Sequence, residues 1–446
     1  MDAAVLTQRI SERLLAADAR PVITDATGGE ATGGELLERT ARTTTLLADV
    51  GCQLGCRVGV VVHPTVQGVV DLLAVMANGG VIVPITPAAP PAYRAHLLES
   101  AGCTVVLENG VVTLLPLSDA AGESVPSGTA LLAFTSGTTG APKGILHTQA
   151  TLLASCESVA TAWGITDEDR LLHVLPLNHV HGLVVGLLGS LAVGASVDLL
   201  ARFDERSVAE AASSATMFYG VPTMYFRMAA AGRASDLRHL RLAVCGSAPL
   251  SAELARALGS SGVPLLERYG MTETCLTVSQ PLHGARVPGT VGGALPGVEL
   301  RIIDGALDVR TPALSVGIFG RPGPLPDCDA EGWFATGDLV TEGEGGLRIV
   351  GRRSNLIISG GFNVVPEAVE AVIGQHPAVV EALVRGEDDP ALGQIVVAEV
   401  VLRDDGTSID EVRAFVGAQI PRSHQPRRYD VVAAVPRNAM GKIIRG

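Results

Sequence analysis

Aromatic side chains and charge are both scarce in this sequence. Phe, Trp and Tyr make up 3% of its 446 residues, and Asp, Glu, Lys and Arg only 18%. The charge that is present leans acidic, with 33 basic against 46 acidic side chains and no basic block, for a net charge of −13. A nucleic-acid binder needs cations to neutralise phosphates and aromatic faces to stack on bases. Neither is supplied, so nucleic acid is excluded as a partner. A secretion signal is not expected either, because Asp2, Arg9, Glu12 and Arg13 stand where an apolar signal core would lie. The longest membrane-like run, Gly182 to Val197, is too short for a bilayer and rich in glycine. It reads as a buried core helix, and no membrane association is expected. Seven cysteines lie apart along the chain. Cys52 and Cys56 have no second pair or nearby histidines to complete a zinc site. The cysteines read as small buried hydrophobes in a reducing compartment, and a cytoplasmic location follows.

What is abundant is Ala, Val, Leu and Gly, in a chain long enough for at least two domains. Strand-like runs alternate with helical ones. Val58–Val62 reads as a buried strand, followed by a helix to about Met76 and a strand at Val81–Pro84. Thr148 to Trp163 carries Leu152, Cys156, Val159 and Trp163 at helical spacing. Short strands are expected at Met217–Tyr219, Leu240–Val244 and Pro264–Glu267, with helices from Pro222 and over Ser251–Gly259. This alternation predicts an α/β fold: a large N-terminal domain of mostly parallel sheets flanked by helices. After Leu347 the elements become short and more polar. A small mobile α+β C-terminal domain is expected over 351–446, behind a core of 1–350, with a hinge at 351–355. Sheets of this kind bind ligands beyond the carboxyl ends of their strands.

One such end carries a dense donor set, Thr135-Ser136-Gly137-Thr138-Thr139-Gly140-Ala141-Pro142-Lys143-Gly144. Glycines let backbone N–H groups close on an anion, hydroxyls donate to phosphate oxygens, and the lysine adds a point charge. It is not a Walker A loop, because Pro142 stands directly before the lysine where that pattern needs glycine. The plain alternative is a mobile surface turn. Further segments follow in order: Pro176 to Gly182 with His179 and His181; Cys245-Gly246-Ser247-Ala248-Pro249; Tyr269-Gly270-Met271-Thr272-Glu273; Thr336-Gly337-Asp338; Gly351-Arg352; Gly360-Gly361; and Pro436-Arg437-Asn438-Ala439-Met440-Gly441-Lys442.

Together these motifs resemble the signatures of the adenylate-forming superfamily: acyl-CoA synthetases, adenylation domains and luciferases. The resemblance covers nearly the whole chain. It implies an AMP-forming acid–thiol ligase, with ATP and Mg²⁺ as cofactors and CoA as acceptor. The acid is first activated as acyl-AMP with release of pyrophosphate. By the same resemblance Thr135, Ser136, Gly137, Thr138, Thr139, Gly140 and Lys143 grip the phosphates, and Thr272 contacts the α-phosphate. Glu273 holds Mg²⁺, a hard cation suited to carboxylate and phosphate oxygens. Gly246, Ser247, Ala248, Tyr269 and Gly270 pack on the nucleotide, while Asp338 and Arg352 face the ribose. Lys442 bridges acid and nucleotide. His179 gates the acyl pocket, His181 and Met271 line it, and Gly360 and Gly361 meet the pantetheine arm of CoA.

Within the superfamily the chain resembles malonyl-CoA synthetases, through the segments around His179 to Leu183, Gly220 to Thr223, Leu240 to Leu250, Leu266 to Thr274 and Ala285 to Gly292. That resemblance implies that Arg241 and Arg286 pin the distal carboxylate of a small dicarboxylic acid. A buried second carboxylate does need a paired cation. The competing reading of Arg241 is a structural arginine facing a loop. Departures from the family pattern are Asn178 in the histidine motif, Ser354 and Asn355 at the hinge, and a short stretch between Asp304 and Trp333. The alternative acceptors are an acyl carrier protein or an amine. A third reading is a nucleotide-binding module without turnover.

Overall fold

The computed structural model describes residues 4–135, 143–321, 323–403, 406–437 and 443. Two large sheets form the N-terminal core. In the first, strands Arg57–Val61, Val81–Ile85, Val105–Glu108 and Thr129–Thr135 run parallel. Its edges are antiparallel, including Lys143–Thr148, which folds back on Thr129–Thr135 with Thr135 opposite Lys143. The second sheet has nine strands. Its centre, Arg170–His173, Met217–Gly220, Leu242–Cys245 and Leu265–Met271, is parallel, and one end turns antiparallel through Cys275–Ser279. The central strands are mostly apolar and buried, as sheets covered on both faces require, although Arg57, His173, Glu267 and Arg268 are buried on them too.

The helices start where the sequence offers caps. Thr65 and Thr148 each accept a backbone N–H through the side chain, at Gly68 and Thr151, opening helices Val66–Ala77 and Gln149–Trp163. Pro222 and Pro366 occupy first-turn positions of their helices. Trp163 is fully buried and donates through Nε1 to Ser279 Oγ at 2.9 Å.

One expectation needs correction. The run Gly182–Val197 is not one helix. It is a π-helix, His181–Leu188, then a short α-helix, Gly189–Val193, and Val197 already lies on the strand Ser196–Leu199. Glycine and β-branched residues make this a poor α-helix, and the wider π turn is set by the packing of a wholly buried segment. No helix among the described residues is long and apolar enough to cross a membrane. The core also contains a four-stranded antiparallel sheet built from Glu299–Ile303, Ala306–Arg310, Phe334–Gly343 and Gly346–Arg352. Its register sets Asp338 directly opposite Arg352.

Beyond a 3₁₀ turn at Arg353–Asn355 lies the smaller α+β unit. Strands Ile357–Ser359, Phe362–Val364, Val379–Asp389, Gly393–Leu402 and Arg428–Val431 are covered by helices Pro366–Ile373 and Ile409–Gly417 around their own apolar core.

Candidate active site

The carboxyl ends of the parallel strands gather the chemistry. Leu265–Met271 runs out of the sheet into Thr272 and Glu273. The exit is tight: a Cβ on Gly270 would stand 2.1 Å from the Cys275 carbonyl oxygen, so only glycine fits. His147 holds the turn from below. Its Nε2–H donates to the Thr272 carbonyl at 2.7 Å, and its Nδ1 faces Thr151 Oγ1 at 3.3 Å. Burial lowers the His147 pKa to about 4, so the ring is neutral at pH 7 with its proton fixed on Nε2. This positioning residue was not singled out by sequence reasoning. The available signal was a lone histidine in an apolar strand.

The Glu273 carboxyl is pushed above the usual carboxylate range, first by burial. Nearby Arg352 and Lys143 pull the other way, and Asp338 adds to the rise. These four groups therefore act on one another, although they come from four separate motifs. Asp338 is the hub. Its Oδ2 accepts from Tyr269 Oη at 2.5 Å and its Oδ1 from Arg352 Nε at 2.7 Å. Its own N–H donates to Thr336 Oγ1 at 3.1 Å, whose hydroxyl donates in turn to the Leu307 carbonyl. Burial disfavours the Arg352 charge, but Asp338 outweighs it and the pKa is raised. The Tyr269 hydroxyl is driven well above its ordinary pKa by burial and by Asp338, so it remains a donor.

Among the described residues no group of three or more His, Cys, Asp or Glu could cage a metal. The half-buried Glu273 carboxylate near Lys143 suits Mg²⁺, which keeps water and draws its other ligands from phosphate. The residues present fit that ion.

The second cluster lies at the end of Leu242–Cys245. Ser247 has a left-handed φ of 71°, and its Oγ lies 3.2 Å from His181 Nδ1. Arg268 Nη2 donates to the same oxygen at 2.9 Å. Burial, then the charge of Arg268, hold the His181 pKa well below its ordinary value, so the ring is neutral. His179 lies in the turn before the π-helix, with Asn178 Nδ2 3.5 Å from its Nε2. Ala248 is exposed, and Met271 packs beside the cluster of Ile145, Ile318, Leu325 and Phe334. In the smaller unit, Gly360 and Gly361 form the positive-φ turn of a hairpin, with Phe362 exposed beside them. Ser136, Gly137, Thr138, Thr139, Gly140 and Lys442 lie outside the described residues.

The two arginines expected to clamp a second carboxylate are not at this end of the sheet. Arg241 precedes Leu242–Cys245, at its amino end. Its Nε donates to Asp169 Oδ1 at 2.6 Å, its Nη2 also bonds Asp169, and its Nη1 reaches the Trp163 carbonyl at 2.9 Å. Arg286 lies at the amino end of the neighbouring strand. Its guanidinium donates to four backbone carbonyls, of Pro281, Pro264, Leu265 and Leu282, at 2.6–2.9 Å. A seven-residue strand such as Leu265–Met271 separates its ends by about 20 Å at ~3.3 Å per residue. Both guanidiniums are therefore structural, and the expectation for Arg241 and Arg286 is corrected. The expected result for Arg241→Leu follows. It strands the buried Asp169, whose pKa is held low by the Arg241 pairing against the effect of burial. It should cost about 2–4 kcal/mol of stability, measured by denaturant unfolding, with no change in the ratio of rates on di- and monocarboxylic acids.

Comparison with known proteins agrees with this geometry. Residues 13–317 match the family described as AMP-binding enzyme, and 368–442 match the AMP-binding enzyme C-terminal domain. A mitochondrial malonate–CoA ligase of Xenopus laevis is 33% identical, over 83% of this chain and 78% of the relative. ATP-bound MatB of Rhodopseudomonas palustris superposes with a TM-score of 0.90 at 32% identity, covering 100% of this chain and 97% of that one. An amide bond synthetase, McbA of Marinactinospora thermotolerans, reaches 0.85 at 28% identity, over 99% and 98% of the two chains. The chain belongs to the AMP-binding enzyme family, as an AMP-forming acyl-CoA synthetase close to the malonyl-CoA synthetases.

Proposed function

We propose that this enzyme activates a small dicarboxylic acid, malonate or a near homologue, as its acyl-adenylate and passes the acyl group to CoA. The observation that carries the reading is the convergence of Lys143, Glu273, Asp338, Tyr269 and Arg352 at one edge of the sheets. Two anions, the carboxylate and ATP, must meet in line there. Catalysis then consists largely of charge neutralisation and alignment. Glu273 would hold Mg²⁺, which would supply positive charge to the phosphates, and the hydroxyl-rich loop with Lys143 grips the outer phosphates. Thr272, held through its carbonyl by His147, faces the α-phosphate. Asp338 accepts from the ribose with its remaining lone pairs. Lys442, carried by the C-terminal unit of residues 351–446, bridges the two anions. After pyrophosphate leaves, that unit swings at 351–355 and brings Gly360 and Gly361 to the pantetheine arm. His179 and His181 border the acid.

A second reading keeps the first step and changes the acceptor to an amine or a carrier protein. The likeness to an amide bond synthetase and the unusual Ser354 favour it. One experiment separates the two. Purified enzyme is given ATP, Mg²⁺ and a panel of small mono- and dicarboxylic acids, and pyrophosphate release is followed without acceptor. CoA, a carrier protein or an amine is then added. The proposal expects release with malonate and thioester formation with free CoA. Release without any CoA thioester favours the second reading, and no release with any acid defeats both.

A further inference from the structure

The pair Cys52 and Cys56 lacks the partners for a zinc site, yet it does not share the inert setting of the other cysteines. The two bracket the turn between the helix Gly33–Asp49 and the strand Arg57–Val61. Gly51 and Gly55, at φ 78° and 79°, reverse the chain there. The Cys56 N–H donates to the Gln53 carbonyl at 2.9 Å, and Asn78 Nδ2 holds the Cys52 carbonyl at 2.7 Å. The turn folds the Cys52 thiol onto the Cys56 sulfur, to which it donates a hydrogen bond. The Thr104 hydroxyl lies 3.7 Å from the same sulfur.

Next to the pair is Arg57, only 7% exposed. Its Nη groups donate to the carbonyls of Glu123, Ala120 and Ala121 at 2.8–3.0 Å, which engage them without cancelling the charge. The hydrogen bond from Cys52 acts most strongly on Cys56. With Thr104 and the Arg57 charge it outweighs burial, and the Cys56 pKa falls to about 7. Cys52 moves the other way, raised by the same hydrogen bond and then by burial. At pH 7 the Cys56 sulfur is therefore about half ionised, while its neighbour keeps its proton. The remaining thiols differ. Cys103, Cys156, Cys245 and Cys275 are buried, and burial raises each of them. Cys328 is half-buried like Cys56, but burial raises it too.

We infer that Cys56 is an oxidation site for hydroperoxides, with Cys52 as its resolving thiol. The Cys56 thiolate attacks a peroxide oxygen and the O–O bond breaks. Cys56 becomes a sulfenic acid, and the departing oxygen leaves as hydroxide. Cys52 sulfur then attacks the sulfenic sulfur and the S–O bond breaks. The sulfenic hydroxyl leaves as water with the Cys52 proton, and a Cys52–Cys56 disulfide remains. The two electrons lost by the thiols reduce the peroxide. The pair lies at the amino end of its strand, whereas the nucleotide site gathers at carboxyl ends. The disulfide therefore shields the fold, by intercepting Cys56 before it reaches the irreversible sulfinic acid.

The test exposes the purified enzyme to hydrogen peroxide and maps its cysteines by mass spectrometry. In wild type the segment carrying Cys52 and Cys56 should lose two hydrogens and regain them with dithiothreitol. In Cys52→Ser, dimedone should trap a sulfenic acid on Cys56. Prolonged exposure should leave that variant with a sulfinic acid that dithiothreitol does not reverse, while wild type recovers its Cys56 thiol. Oxidation of Cys328 ahead of Cys56, a disulfide from Cys56 to Cys103, or a Cys52→Ser protein without a dimedone adduct overturns the inference. So does a wild type damaged as irreversibly as the variant. If Cys52→Ser does not fold, iodoacetamide on wild type decides. Cys56 should be alkylated ~10-fold faster than Cys328 near pH 7, and a Cys328 that reacts as fast or faster defeats the assignment.

Discussion

Lys442→Ala will lower acid-dependent pyrophosphate release by about 10²–10⁴-fold, the range seen when one charge-stabilising group is removed from a preorganised site. Transfer of a pre-formed acyl-adenylate to CoA will change only a few-fold. The asymmetry follows from the charges. In the first step a carboxylate must approach a phosphate bearing the full charge of ATP, and the lysine supplies a cation between them. In the second step pyrophosphate has gone, the acyl carbon is already activated, and a neutral thiol side can approach from elsewhere. Arg437 pairs with Ile443 as an antiparallel bridge, which ties together the ends of the segment carrying Lys442. Measuring the two half-reactions separately, with acid plus ATP and with synthetic adenylate plus CoA, gives the split. Equal impairment of both would remove Lys442 from the bridging role.

Glu273→Gln is the second large effect. The isostere keeps the turn, including the Ser315 N–H donation to the Glu273 carbonyl at 2.8 Å, but removes the charge that the proposed function offers to Mg²⁺. Adenylation should fall by about 10²–10³-fold and need far more Mg²⁺ for half-maximal rate. The pH behaviour carries the signature. Because the folded-state pKa is raised, the carboxylate ionises only at higher pH than an ordinary glutamate. Wild-type kcat/KM will therefore decline on acidification from a point above the usual glutamate range, and the variant will lack that limb. Linkage gives the opposite sign for stability. A carboxyl whose folded pKa exceeds its unfolded value binds more protons when folded, so its contribution falls as pH rises through that window. The nucleotide-free variant should consequently melt at a higher temperature than wild type at pH 8. A variant that is both slower and less stable there would place Glu273 in a structural role.

Much of this site could be read along the chain because its parts are local. Thr272-Glu273 and Thr336-Gly337-Asp338 each concentrate their chemistry in a few consecutive residues, the first just beyond the carboxyl end of a parallel-paired strand and the second on an antiparallel sheet. The arginines show where such reading stops. Arg241 is paired by Asp169, 72 residues earlier, and Arg286 by carbonyls of a neighbouring loop and strand. Nothing near either residue reveals these partners. Arg268 was hidden for the reverse reason: it stands inside a recognisable motif, and only its burial and an Nε without a hydrogen-bond partner set it apart. The antiparallel sheet carrying Asp338 and Arg352 escaped because its strands are half-exposed and polar, without the apolar runs that announced the parallel ones. The phosphate loop at 136–142 and the tail at 438–442 are legible as sequence alone.

The π-helix at His181–Leu188 has a consequence for how this enzyme tolerates change. Each hydrogen bond of such a coil spans one residue more than in its α counterpart. Loss of one apolar residue between Leu183 and Leu188 would let the segment relax into ordinary α geometry with its backbone bonding intact. Yet each residue turns an α-helix by about 100°, so His181 would be rotated away from Ser247 while the buried surroundings stayed closed. Shortening by one there should yield a sturdy protein with a displaced imidazole, an architecture preserved while its aim is lost.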